Sequence, residues 1–123
     1  MNIIFGDEQA TQLAEKYTVL ALDTFKFGQD GPHMTAYCVV ENLSLAELPM
    51  VDSLQKLHSD LIANYKNKQW NYCGQVINRL RGSWSGELDT FYDELQKRIE
   101  QYKENDPGEH WSPVIEKPIG QSF

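Results

Sequence analysis

Tyr17 to Phe27 reads Y-T-V-L-A-L-D-T-F-K-F. In a strand, successive side chains point to opposite faces. Val19, Ala21, Asp23, Phe25 and Phe27 therefore fall on one side, and Thr18, Leu20, Leu22, Thr24 and Lys26 on the other. Both sides are apolar near the start and the second becomes polar later, the pattern of a strand partly covered on both faces. Asp23 is the exception on its side. A carboxylate on a half-buried face must find donors or shift its protonation, so Asp23 is a candidate polar anchor or general base. The plain alternative is a strand-edge acid that reaches water or a loop amide.

The segments on either side build outward from this strand. G-Q-D-G-P, residues 28–32, is rich in turn formers, and M-T-A-Y-C-V-V-E, residues 34–41, reads as a second strand. Together they predict an antiparallel hairpin. Upstream, N-I-I-F (2–5) predicts a short strand ended by Gly6, and Asp7 is placed to cap a helix to about Lys16, with Ala10, Leu13, Ala14 and Tyr17 inward. After Pro49 the apolar period becomes helical. Val51, Leu54, Leu57, Leu61, Ile62 and Tyr65 form one stripe, with Asp52 and Gln55 as a capping box. Trp70, Cys73, Ile77 and Leu80 form a second, closed by Gly82. Leu88, Phe91, Tyr92, Leu95, Ile99 and Tyr102 form the third, stopped at Asn105-Asp106-Pro107-Gly108. Strands followed by helices predict one α+β domain over residues 1–105: a small antiparallel sheet, a hairpin with a short N-terminal strand, packed by three to four helices. Residues 106–123 read as an irregular tail, its first part tacked down by Trp111.

The totals exclude several classes of function. The chain has 123 residues, 41% hydrophobic and 24% charged, enough for one domain with a real core. Its net charge of −7 disfavours nucleic acid, where cations must neutralise phosphates. No run reaches the roughly 20 apolar residues that span a bilayer, and M-N-I-I-F-G-D-E lacks a signal-peptide pattern. Cys38 and Cys73 lie in apolar patterns and read as reduced, inert packing thiols in a cytoplasmic protein. Asn42-Leu43-Ser44 is a formal sequon, without meaning in that compartment. His33, His58 and His110 are widely spaced and no cysteine cluster has ligand spacing, so no metal or other cofactor is expected.

Gly82-Ser83-Trp84-Ser85-Gly86 superficially resembles the elbow of serine hydrolases. That elbow needs Ser at its centre after a strand. Here Trp84 is central and a helix precedes it, so the stretch reads as a turn, with Ser83 or Ser85 capping the next helix and Trp84 plugging the gap. No catalytic residue is assigned. From Leu61 to Gly86 the chain carries Lys66, Lys68, Arg79 and Arg81 and no acid, and Trp70, Tyr72 and Trp84 add aromatic area. Lys66, Lys68, Trp70, Arg79, Arg81 and Trp84 are the candidate contact residues for an acidic protein partner or a small anion. The alternative is that these cations face water or pair with acids elsewhere.

Four stretches, Y-T-V-L-A-L-D-T-F (17–25), L-H-S-D-L-I-A-N-Y (57–65), Q-W-N-Y-C (69–73) and G-E-L-D-T-F-Y (86–92), resemble short proteins of marine tailed phages and marine metagenomes. That resemblance implies a source and no activity. Tyr65 and Trp70, followed by a short amphipathic helix, resemble tetratricopeptide-like segments that follow the catalytic domain of some bacterial nucleotide cyclases, which implies a helical docking surface. The leading expectation is a small cytoplasmic interaction module without catalysis, self-associating or bound to a protein partner, in host-cell cytoplasm if phage-encoded. The second is a small enzyme or metabolite binder with a pocket between hairpin and helices, where Asp23, His33 or His58 supply polar groups.

Overall fold

A computed structural model describes residues 2–28, 31–41, 43 and 45–117. Gln29 and Asp30 of the hairpin turn, Asn42 and Ser44 of the sequon, and Pro118–Phe123 of the tail lie outside the described residues. The elements in chain order are β1 (Asn2–Phe5), α1 (Asp7–Leu13), β2 (Thr18–Phe27), β3 (His33–Val40), α2 (Val51–Lys66), α3 (Trp70–Leu80), α4 (Asp89–Glu104) and β4 (Ile115–Lys117). This is an α+β fold. β1, β3 and β2 form an antiparallel sheet, and β4 adds to the β2 edge in parallel, giving the order β1-β3-β2-β4.

The hairpin forms as the alternation requires, with Thr18 opposite Val40 and Lys26 opposite His33. Gly31 is needed in its connection, because a Cβ there would come within 1.6 Å of the Phe27 carbonyl oxygen. The core lies between one sheet face and helices α2 to α4. Leu20, Leu22 and Phe25 of β2 and Ala36, Cys38 and Val40 of β3 meet Leu61, Ile77, Leu80, Leu88, Leu95 and Ile99 of the helical layer. All three helical stripes face the core as their spacing predicts, since residues three and four apart share a face, with Val51, Leu54, Leu57, Trp70 and Tyr102 half-buried at their ends. α1 contacts all three antiparallel strands, and its Asp7 carboxylate accepts the Tyr37 hydroxyl from β3.

The local signals needed four corrections. α1 stops at Leu13, is preceded by Gly6 at φ 96 rather than capped by Asp7, and buries Ala10 alone; Tyr17 is exposed. The Asp52–Gln55 box caps nothing, because α2 grows out of a 3₁₀ turn at Leu48–Met50 and its first residue is already Val51. α4 has no serine cap either; Ser83 and Ser85 belong to a separate turn. The tail is not wholly irregular, since Ile115–Lys117 pairs with Phe25–Phe27. Trp111 does anchor its start, packed edge-on against Tyr65, Trp70 and Tyr102 with ring centroids 5.4 to 5.5 Å away.

Candidate ligand cavity

β2 is not a regular strand. Ala21 pairs with Tyr37, but the next pair is Thr24 with Thr35, so Leu22 and Asp23 stand opposite Ala36 alone. This is a bulge, one extra residue that shifts the side-chain phase of everything beyond it. Leu20 and Leu22 already face the helices. The slip brings Phe25 to the same side, and Asp23 with it. The expected face, with Asp23 beside Val19 and Ala21, is thereby corrected.

On the helical side, Phe91, Glu94 and Arg98 recur at intervals of three and four and so project from one flank of α4. Arg98 reaches Asp23 with two parallel hydrogen bonds, Nη1 to Oδ1 at 3.0 Å and Nη2 to Oδ2 at 2.9 Å. The side chains are 24% and 13% exposed, so the pair is largely withdrawn from water. Burial pulls the guanidinium pKa down, but hydrogen bonding and charge from Asp23, with a smaller share from Tyr65, outweigh it and leave the pKa above the ordinary arginine value. The guanidinium also lies 5.9 Å above the Tyr65 ring. Bidentate pairs of this kind fix geometry as well as charge.

Between this pair and the sheet edge is a half-open cavity of about 350 Å³. β1 contributes Ile3 and Phe5, β2 Leu22 and Phe25, β3 Ala36, and β4 Ile115. α4 closes the other side with Thr90, Phe91, Glu94 and Arg98. The Phe5 ring stands edge-on to Phe25 and Phe27 at 6.3 and 6.2 Å, which stiffens one wall. An apolar hollow with a few fixed polar groups is the usual form of a small-molecule site, and this volume falls at the small end of such sites, roughly 300–1,000 Å³.

Beneath the bulge runs a buried polar chain. The Trp84 indole N–H donates to the Tyr92 hydroxyl at 3.0 Å, which lies 3.0 Å from His58 Nδ1. His58 Nε2 is 2.6 Å from the Ala21 carbonyl, where the strand ladder breaks. A carbonyl only accepts, so Nε2 carries the proton and Nδ1 accepts from Tyr92. Burial lowers the His58 pKa, partly countered by the Ala21 hydrogen bond, and keeps the ring neutral. The chain ties α2, α4 and the turn before it to the bulge, and so supports Asp23 from behind.

Of the residues expected to form a polar pocket, Asp23 lines this cavity. His58 is fully buried in the chain just described, and His33 is exposed at the start of β3. The three do not converge. The aromatic and basic stretch is also divided. Lys66 ends α2, Lys68 lies in the link and Trp70 starts α3, whereas Arg79 and Arg81 lie at the far end of α3, roughly 16 Å away along 11 residues. Lys68 donates to the Gly108 carbonyl at 3.0 Å, Arg81 pairs with Asp93 at 3.0 Å, and Lys66 and Arg79 are exposed. Trp70 is packed among Tyr65, Tyr102 and Trp111. Trp84 is 0% exposed, the plug of the turn and no part of a surface. That turn is left-handed at Trp84, Ser85 and Gly86, with φ of 58, 55 and 76, and the Glu47 carboxylate accepts the Trp84 and Ser85 amides.

Arg98, Glu94 and Glu47 escaped the sequence reading. Arg98 had one signal: it flanks the α4 stripe at four residues before Tyr102, where the donor that Asp23 required could have been sought. Among the described residues, no group of three or more His, Cys, Asp or Glu is arranged to hold a metal ion, and no helix is long and apolar enough to cross a membrane. No family model matches the chain, and neither does any curated protein or solved structure.

Proposed function

We propose that this chain is a small non-catalytic binding protein that takes an apolar small molecule between its hairpin and α4. The carrying observation is the cavity of about 350 Å³ with the Asp23–Arg98 pair fixed in its wall. A bulge, a bidentate pair and a buried hydrogen-bond chain surround this one hollow. The two thiols are free and buried, and burial pushes each up to about 11, which fits a reducing cytoplasm, that of a host cell if the gene is a phage's. A ligand that binds only the folded state raises its melting temperature. A thermal-shift screen of small apolar compounds should give hits that Thr90→Trp, at the exposed rim, and Ala36→Phe, inside, both abolish. Hits retained in both variants would reject the cavity as the site.

A second reading keeps a protein partner. Lys68, Trp70, Asn71, Tyr72, Lys103 and Asp106 line a polar notch of about 320 Å³ beside the start of α3, where Tyr72 is 41% exposed. An acidic segment of a partner or of a second copy suits its two lysines. Lys68→Glu with Lys103→Glu should then abolish capture of that partner or shift the mass measured by light scattering.

A further inference from the structure

The charges on the cavity wall already have partners. Both Asp23 oxygens accept from Arg98, at 3.0 and 2.9 Å. Glu94, at the rim, is 61% exposed and solvated, with Lys97 Nζ 3.7 Å away. Asp23, Glu94 and Arg98 are the ionisable side chains lining this cavity, and with Glu94 out at the rim its enclosed wall presents no unmatched charge. A carboxylate or ammonium head entering here would lose hydration and gain a partner only by displacing one that is already bonded, and an unpaired charge out of water is strongly disfavoured.

A hydrogen-bond acceptor meets a different situation. A guanidinium has five N–H donors. Asp23 takes two of them. Arg98 itself lines the cavity, so an incoming acceptor meets a side chain with more N–H groups than Asp23 takes. Thr90, exposed on the rim, adds a hydroxyl that donates or accepts.

We infer that the ligand is an uncharged amphiphile, an apolar body ending in one hydrogen-bond acceptor such as an alcohol, ketone or ester, and that fatty acids and amines are discriminated against. This rests on the cavity being the ligand site. Octanol, octanoate and octylamine share one apolar body and differ in head charge at neutral pH. Isothermal titration of the full chain with each should rank octanol tightest, by roughly tenfold over either ion. Octanoate or octylamine binding as tightly as octanol would overturn the inference while leaving the cavity as a site. Failure of all three to bind would reject the site itself. Asp23→Asn removes the acid that satisfies Arg98, so octanoate should overtake octanol in that variant. If the variant is folded by circular dichroism and octanoate gains nothing, the inference falls; if it is unfolded, the wild-type ranking decides.

Discussion

Asp23 and Arg98, 75 positions apart in sequence, meet through two parallel hydrogen bonds of 3.0 and 2.9 Å and join the bulged strand to the last helix. Their mutual dependence is testable. Removing one partner strands the other in a site only 13–24% exposed. Asp23→Ala should lower unfolding free energy by about 2–3 kcal/mol, somewhat under the ~3–5 kcal/mol typical of fully enclosed pairs. The double variant Asp23→Leu with Arg98→Met should recover most of that loss, because the charge to be compensated is gone. Urea denaturation of Asp23→Leu, Arg98→Met and the double measures the coupling, and additive losses would contradict it.

His58 sets a pH dependence. Burial holds its pKa below the ordinary imidazole value, with the Ala21 carbonyl opposing. The folded protein thus binds this proton less readily than the unfolded chain, and acid favours unfolding. The contribution is complete above the unfolded value of roughly 6.5 and is lost as pH falls from there through the folded value, at up to about 1.4 kcal/mol per pH unit. Stability measured down a pH series should decline more steeply in the wild type than in His58→Gln. Equal slopes would show that the folded imidazole takes up its proton as readily as the unfolded one.

The Glu47 carboxylate holds the left-handed turn by accepting the Trp84 and Ser85 amides and the Ser85 hydroxyl. Non-glycine residues in that conformation are disfavoured by roughly 1–2 kcal/mol each, so the turn needs its acceptor. Glu47→Ala should lower stability by about 1–3 kcal/mol and speed hydrogen exchange at those two amides, whereas Glu47→Gln keeps one acceptor oxygen and so protects one of the two. Unchanged exchange in Glu47→Ala would mean that packing of Trp84 alone fixes the turn.

Both cysteines should be chemically silent. Cys38 and Cys73 are 0% exposed and each is pushed up to about 11, by burial first and, at Cys38, by the Glu87 charge as well. Iodoacetamide in mildly alkaline buffer should label the native protein roughly 100-fold more slowly than the urea-unfolded chain. Rapid native labelling would show that the core opens locally around one of them.

Much of this architecture was legible in the sequence because apolar spacing encodes it directly. Leu88, Phe91, Leu95 and Ile99 can share a side only on a helix, and all four are buried. The hairpin followed from alternation and turn residues. The bulge did not, because both faces of 17–27 are apolar and so its phase is weakly specified. Its one trace is that Leu20, Leu22 and Phe25 are all large and apolar yet cannot share a face of a regular strand. β4 was hidden by its length of three residues, too short for a period, and by pairing that depends on where α4 returns the chain. Asp23 was recognisable as an acid in need of donors. Arg98 was not recognisable as the answer, since nothing in a helical period says which distant strand its flank will meet. The basic stretch is divided for the opposite reason: residues close in sequence are separated by the length of α3 and by the inward turn of Trp84.

The central claim is that the hollow between hairpin and α4 binds a ligand. Octanol titrated into isotopically labelled protein, followed by two-dimensional amide and methyl NMR, tests it most directly. Saturable shifts should concentrate at Leu22, Phe25, Ala36, Phe91 and Ile115, the residues around the cavity. An absence of saturable shifts there, or shifts confined to the exposed Leu45, Leu48 and Met50, would contradict it.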